Sequence, residues 1–251
     1  MPFLEIEALE KRYDREHVLR GVSLGVDEHE TLAVLGRSGS GKTTLLKLIA
    51  GLDAPDAGRI ALGGRSLAGV PPQARGAVYL SQEPLLFPHL DVFENVAFAL
   101  RLRRTPDAAV RRRVGELLGD LGLADHARKR PDALSGGQQQ RAAFGRAVVA
   151  GPALLLLDEP FGKLDVETRA SVQALFGRLI HAHGITSVFV THDLKEALVV
   201  GDRFGLMDAG ALRVYGSRQA FVDDPATGVR DEAGFWNALQ RGDSQRDADA
   251  A

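Results

Sequence analysis

The chain has 251 residues, 45% of them hydrophobic and 25% charged, which is enough to bury one sizeable α/β core. Its 31 basic and 33 acidic residues leave a formal net charge of -2, so no general electrostatic pull toward nucleic acid or an anionic membrane exists. With 0 cysteines a disulfide framework and a thiolate metal site are excluded, and no apolar run approaches the roughly 20 residues of a membrane-spanning helix.

The N-terminus, Met1-Pro-Phe-Leu-Glu-Ile-Glu, lacks the basic start and long apolar run of a secretory signal, so no leader is expected. Phe3–Leu9 alternates apolar and charged residues as a half-buried strand does, and Val18–Val26 is similar. Thr31–Leu35 predicts a short apolar strand running into a glycine-rich loop. Thr43–Ala50 has helical spacing, with Gly51 placed to stop it. Gly58–Leu62 predicts another strand, closed by a turn at Gly63 and Gly64.

From Val92 to about Ala127 the apolar spacing is helical. This stretch carries Arg101, Arg103, Arg104, Arg111, Arg112 and Arg113, read as the solvated face of surface helices. After Pro152 strands and helices alternate: strand Ala153–Leu157, helix Val166–Ala182, strand Thr186–Val190, helix Leu194–Val200, strand Phe204–Met207. Such alternation implies a mainly parallel sheet covered on both faces. The polar C-terminal tail is expected to fray.

Three segments carry chemistry. Gly36-Arg37-Ser38-Gly39-Ser40-Gly41-Lys42-Thr43-Thr44 fits the phosphate-loop pattern G-x-x-x-x-G-K-[ST], with a strand before it and a helix after. Glycines let backbone N–H groups curl toward phosphate oxygens, and the helix adds the positive end of its dipole. Lys42 supplies a cation for the β- and γ-phosphates of a bound nucleotide, and Thr43 a hydroxyl ligand for Mg2+. Ala153–Leu157 followed by Asp158 and Glu159 reads as a central parallel strand ending in two carboxylates. Open parallel sheets bind ligands beyond those strand ends. There Asp158 is expected to hold Mg2+ beside Thr43, and Glu159 to act as general base on water. His192, in Thr191-His192-Asp193, is expected at the same edge, where it can donate to a phosphate oxygen or orient the water.

Leu134-Ser135-Gly136-Gly137-Gln138, followed by Gln139-Gln140-Arg141, resembles the signature motif of ABC ATPases. Ser135 starts a helix, and two glycines bare backbone N–H groups for phosphate. The resemblance runs from about Leu4 to Pro225, with its motifs in family order. It implies a P-loop α/β fold: a RecA-like core over about 1–82 and 150–226, an N-terminal antiparallel β lobe and an inserted α-helical lobe over about 83–149, then a short segment, 227–251.

The resemblance also assigns further roles. Tyr13 matches the aromatic that stacks on adenine. Gln82 matches the Q-loop glutamine, near Mg2+ and the attacking water. Asp165 belongs to the D-loop, Phe161-Gly-Lys-Leu-Asp165, and His192 is the switch histidine. The signature of one subunit is expected to complete the ATP site of a second copy, head to tail.

Within the family, Gln82–Phe98 and Thr191–Ala197 resemble importer ATPases for polyamines, sulfate, iron, molybdate and sugars. That implies a pair of transmembrane permease subunits docking beside the Q-loop, a substrate-binding protein, and a peripheral position on the cytoplasmic face of the membrane, without nucleic acid or direct membrane insertion. An exporter ATPase and a soluble ABC ATPase are the rivals. The chain is expected to lack the C-terminal β-rich regulatory domain of many relatives, leaving Gly228–Leu239, with Phe235 and Trp236, as a final helix or docking segment. Three positions depart from the pattern: Lys163 in the D-loop, Ser81 before Gln82, and Asp27–Glu30, a turn without its usual glycine.

Overall fold

The computed structural model of the chain describes residues 2–232. Most of residues 227–251, including Phe235 and Trp236, lie outside the described residues. Two sheets organise the fold. A four-stranded antiparallel sheet has the order β2-β1-β4-β5, from β1 (Leu4–Tyr13), β2 (Glu16–Val26), β4 (Ala57–Leu62) and β5 (Arg65–Ser66). A six-stranded sheet has the order β10-β9-β3-β8-β7-β6, from β3 (Thr31–Gly36), β6 (Ala77–Leu80), β7 (Leu154–Asp158), β8 (Thr186–Thr191), β9 (Arg203–Asp208) and β10 (Ala211–Val214). Strands β9, β3, β8, β7 and β6 run parallel, and β10 closes the edge antiparallel to β9.

Every residue of β3, β7 and β8 is buried, because helices or the smaller sheet cover both faces. The period of two divides them cleanly. Leu32, Val34, Leu154, Leu156, Val188 and Val190 enter a core shared with the antiparallel sheet and α1 (Lys42–Ala50). Ala33, Leu35, Leu155, Leu157 and Phe189 face the other core. That second core joins α2 (Val92–Leu102), α3 (Asp107–Asp120), α4 (Gly136–Val148), α5 (Val166–Ala182), α6 (Leu194–Val200) and α7 (Arg218–Asp223). Phe144 of α4 stacks on Phe176 of α5 with ring centroids 3.8 Å apart, and Phe161 leans on Phe176 and Phe189.

Sequence alternation traces β1 only to Leu9, whereas the strand reaches Tyr13. The reason is a bulge. Ala8 adopts φ +45, and the pairing with both neighbouring strands shifts register beside it. One extra residue reverses the inward–outward phase, so a simple period of two breaks there. Gly58 makes room opposite: a Cβ on it would lie 2.5 Å from the Ala8 carbonyl oxygen.

The turn before Thr31 keeps a left-handed residue without glycine. His29 takes φ +64, its N–H donates to Thr186 Oγ1 at 2.8 Å, and its ring is bonded to the Gly184 carbonyl. These side-chain anchors offset the cost of left-handed backbone at a residue with a Cβ. Ser81, the second departure, donates to the Glu83 carbonyl at 2.8 Å and closes the turn that follows β6.

Candidate active site

The parallel strands deliver their C-terminal ends to one edge of the sheet. There β3 feeds the phosphate loop, β6 leads to Gln82, β7 ends at Asp158, and β8 ends at Thr191 before His192. A cleft of about 490 Å³ opens at this edge, lined by Tyr13, Ser38, Gly39, Gly41, Lys42, Thr43, Thr44, Gln82, Asp158 and Glu159. Tyr13, 42% exposed, stands at the rim, its hydroxyl bonded to Asp53 and the Lys11 ammonium 5.0 Å from its ring centre.

The loop is shaped for anions. Gly39 and Gly41 take φ +80 and +107, and a Cβ at Gly41 would lie 2.8 Å from Leu19 Cδ2. Gly41 caps α1 without a side chain, and no acid occupies the helix's first turn. The first N–H groups of a helix have no intrahelical acceptor, so they face the cleft as donors. Ser40 Oγ is buried with no partner among the described residues, a further free polar atom in the loop.

Lys42 is 4% exposed. Its ammonium donates to the carbonyls of Gly36 at 2.7 Å and Arg37 at 3.0 Å, and lies 3.4 Å from Glu159 Oε1. The other Glu159 oxygen is 2.8 Å from His192 Nδ1. Glu159 itself takes φ +44, strained for a residue with a Cβ, and its N–H donates to the Val190 carbonyl at 3.0 Å. The side chain is thus held between the phosphate-loop cation and the histidine of the next strand.

Asp158 Oδ1 accepts from the Thr43 hydroxyl at 3.0 Å, and Oδ2 from the Tyr79 hydroxyl at 2.6 Å. Burial, and then this bond to Asp158, push the Tyr79 phenol well above its ordinary pKa, so it remains a donor. Thr43, Asp158 and Gln82 present hard oxygen donors in one cleft, which suits Mg2+. Among the described residues no three His, Cys, Asp or Glu side chains cluster as a metal cage.

Sequence reading passes over Tyr79 because it sits in β6, a four-residue edge strand with too short a pattern to register. Its position three residues before Gln82 is the one available signal.

The signature segment lines none of this cleft. Ser135 caps α4, and Ser135 and Gln138 form a reciprocal capping box. The two glycines differ. A Cβ at Gly136 would meet open space, whereas a Cβ at Gly137 would lie 2.4 Å from Thr168 Cγ2. Gly137 therefore serves the packing of α4 on α5, and only Gly136 bares backbone to the surface. Asp165 caps α5, accepting from the Thr168 N–H at 2.8 Å. Lys163 is ion-paired with Glu83 of its own chain.

A family described as ABC transporter matches residues 19–162, which include the phosphate loop, the Leu134–Gln138 segment and the Asp158-Glu159 pair. The chain belongs to the ABC transporter family. It is an ATPase of that family. The chain is 44% identical over 238 residues to the molybdate/tungstate import ATP-binding protein WtpC of Pyrococcus horikoshii, covering 94% of this chain and 69% of that protein. WtpC of Thermococcus kodakarensis is 42% identical over 238 residues, 94% of this chain and 72% of that protein. The spermidine/putrescine import ATP-binding protein PotA of Rubrobacter xylanophilus is 44% identical over 224 residues, 89% of this chain but only 58% of its own length. No helix among the described residues is long and apolar enough to cross a membrane.

Proposed function

We propose that this ABC ATPase is the motor subunit of a solute importer, coupling ATP binding and hydrolysis to movements of membrane-embedded permease subunits. The observation that carries the catalytic part is the placement of Glu159 between Lys42 and His192, at the mouth of the phosphate loop. The phosphate loop and the N-terminus of α1 bind the ATP phosphates, Lys42 neutralises the terminal ones, and Tyr13 stacks on adenine. Phosphate competes with Glu159 for the Lys42 ammonium. That competition releases the carboxylate oxygen to accept a proton from the attacking water. His192 holds the carboxylate on its other side and donates toward the transferring phosphate. Thr43, Asp158 and Gln82 would hold Mg2+, which supplies charge neutralisation at the phosphates when bound.

In this reading the cleft is half a site. Two copies close head to tail, with Ser135, Gly136 and Gln138 of one facing the ATP of the other, and Asp165 beside the subunit boundary. The lobe over about 83–149 receives the permease. A groove of about 370 Å³ lined by Leu85, Phe87, Phe98 and Ala147, with Arg103 and Arg146 on its wall, lies between the Q-loop segment and α2 and α4, and suits the apolar face of an amphipathic helix. The protein then sits peripherally on the cytoplasmic face of the membrane, served by a substrate-binding protein. An import role is favoured over export because the relatives named above are import subunits. Those relatives, equally similar, serve an oxyanion or a polycation, as expected if the solute never touches the ATPase.

Glu159→Gln tests the catalytic core. The variant is expected to bind ATP yet lose about 10²–10⁴-fold in turnover, and to elute as an ATP-dependent dimer. A variant that hydrolyses ATP at the parental rate would overturn the base; a monomer throughout would overturn the sandwich.

A further inference from the structure

The segment Thr191-His192-Asp193 carries the proposed switch histidine, yet the His192 side chain itself is 54% exposed, and Glu159 is its one bonded partner among the described residues. What holds its backbone lies beneath it. The Thr191 side chain is fully buried, and its hydroxyl donates to Glu196 Oε2 at 2.5 Å. The same hydroxyl oxygen accepts from the Asp193 N–H at 3.0 Å. One hydroxyl thus fixes the chain on both sides of His192.

Glu196 is 3% exposed, and its second oxygen accepts from Gln173 Nε2 of α5 at 3.2 Å. Burial pushes the Glu196 carboxyl above its ordinary pKa, a cost that an apolar residue at this position would avoid. Asp193 completes the arrangement. Its Oδ1 accepts from the N–H groups of Lys195 and Glu196, capping α6. Its other oxygen faces Arg169 at 3.7 Å, and Arg169 donates to the Leu164 carbonyl at 2.9 Å in the turn before α5.

We propose that Thr191 and Glu196 are positioning residues for His192: the buried carboxylate orients the Thr191 hydroxyl, and that hydroxyl sets the backbone from which the imidazole meets Glu159. The proposal rests on the role given to His192 above. A geometry of this kind controls turnover rather than nucleotide affinity, because neither residue lines the cleft that holds the phosphate loop. Small misplacements of a positioned group cost up to about a hundred-fold in rate.

The test is a double-mutant cycle on the full purified chain, reading kcat and KM for Mg2+-ATP together with binding of a fluorescent ATP analogue. Thr191→Val keeps the shape and removes the hydroxyl. It is expected to lower kcat about ten-fold while analogue affinity stays within about two-fold, and Thr191→Ser is expected to recover most of the rate. In a His192→Ala background, Thr191→Val is expected to add nothing. Independent, multiplying losses would overturn the proposal, as would a Thr191→Val rate equal to the parent's. If Thr191→Val does not fold, Glu196→Gln is taken through the same cycle and decides in the same way. A parental rate for His192→Ala alone would overturn the histidine's own role, a failure visible separately from that of the Thr191 bond.

Discussion

Glu159 carries a backbone penalty of roughly 1–3 kcal/mol at its φ of +44, and it is retained at the point where β7 leaves the sheet. The left-handed turn throws the carboxylate sideways, off the line of Asp158 and toward Lys42 and His192. Two adjacent acids thereby acquire different partners: Asp158 takes hydroxyls, Glu159 takes the cation and the imidazole. Lys42→Ala removes the ammonium from that arrangement. Nucleotide affinity, followed with a fluorescent analogue, is expected to fall at least about ten-fold, since a phosphate charge loses its buried counterion, and turnover is expected to vanish. Turnover near the parental level in Lys42→Ala would contradict the assignment.

At the scale of elements, the two glycines that open α4 divide their work. Gly136→Ala has room for its methyl, so thermal unfolding is expected to move little, or upward by about 0.4–1 kcal/mol. Gly137→Ala must displace Thr168 and is expected to cost about 1–3 kcal/mol by the same measurement. If the N–H groups at this helix start serve a second subunit's ATP, Gly136→Ala loses turnover while staying folded. Unchanged turnover in that variant would remove Gly136 from the proposed interface. Sequence alone does not separate the two glycines, because what distinguishes them is Thr168, brought in from α5. What is legible follows from local pattern. The uninterrupted apolar run at Leu154–Leu157 marks a strand buried on both faces, the lengths and apolar spacing of α5 and α6 mark helices, and their observed bounds lie close to those expected. The short strands β5, β6 and β10 and the short helix α7 escape, since two to six residues carry too little period to stand out. The phosphate loop and the two carboxylates can be read because their spacing is set by backbone geometry. The link from Thr191 to Glu196 and the hydroxyl of Tyr79 on Asp158 depend on tertiary approach.

At the scale of the whole molecule, the charge of Lys163 bears on how the two copies of the proposed dimer would meet. The D-loop position that the resemblance implies leaves two outcomes for its charge in a closed dimer: repulsion of its symmetry mate across the two-fold axis, or pairing with a partner carboxylate or the ATP phosphate. In the structure it is neutralised within its own chain by Glu83, both side chains remaining more than half exposed. A pair of opposite charges on each subunit presents little net field to the other. Removing one member unmasks the second, and the sign then depends on which is left. ATP makes the surroundings of the closed site negative. Lys163→Ala leaves Glu83 bare and is expected to weaken the ATP-bound dimer; Glu83→Ala leaves Lys163 bare and is expected to tighten it. Unit charges roughly 10 Å apart in a watery interface interact by about 0.4 kcal/mol, or about two-fold in affinity at low salt. Both shifts are expected to shrink as salt shortens the screening length. The double variant, which removes both charges, is expected to return to the parental affinity. Sedimentation of these variants in a Glu159→Gln background, with ATP at low and high salt, measures all of this. If both single variants weaken the dimer, the pair acts as a structural clip between the Q-loop and D-loop rather than through its charges, and the electrostatic account fails.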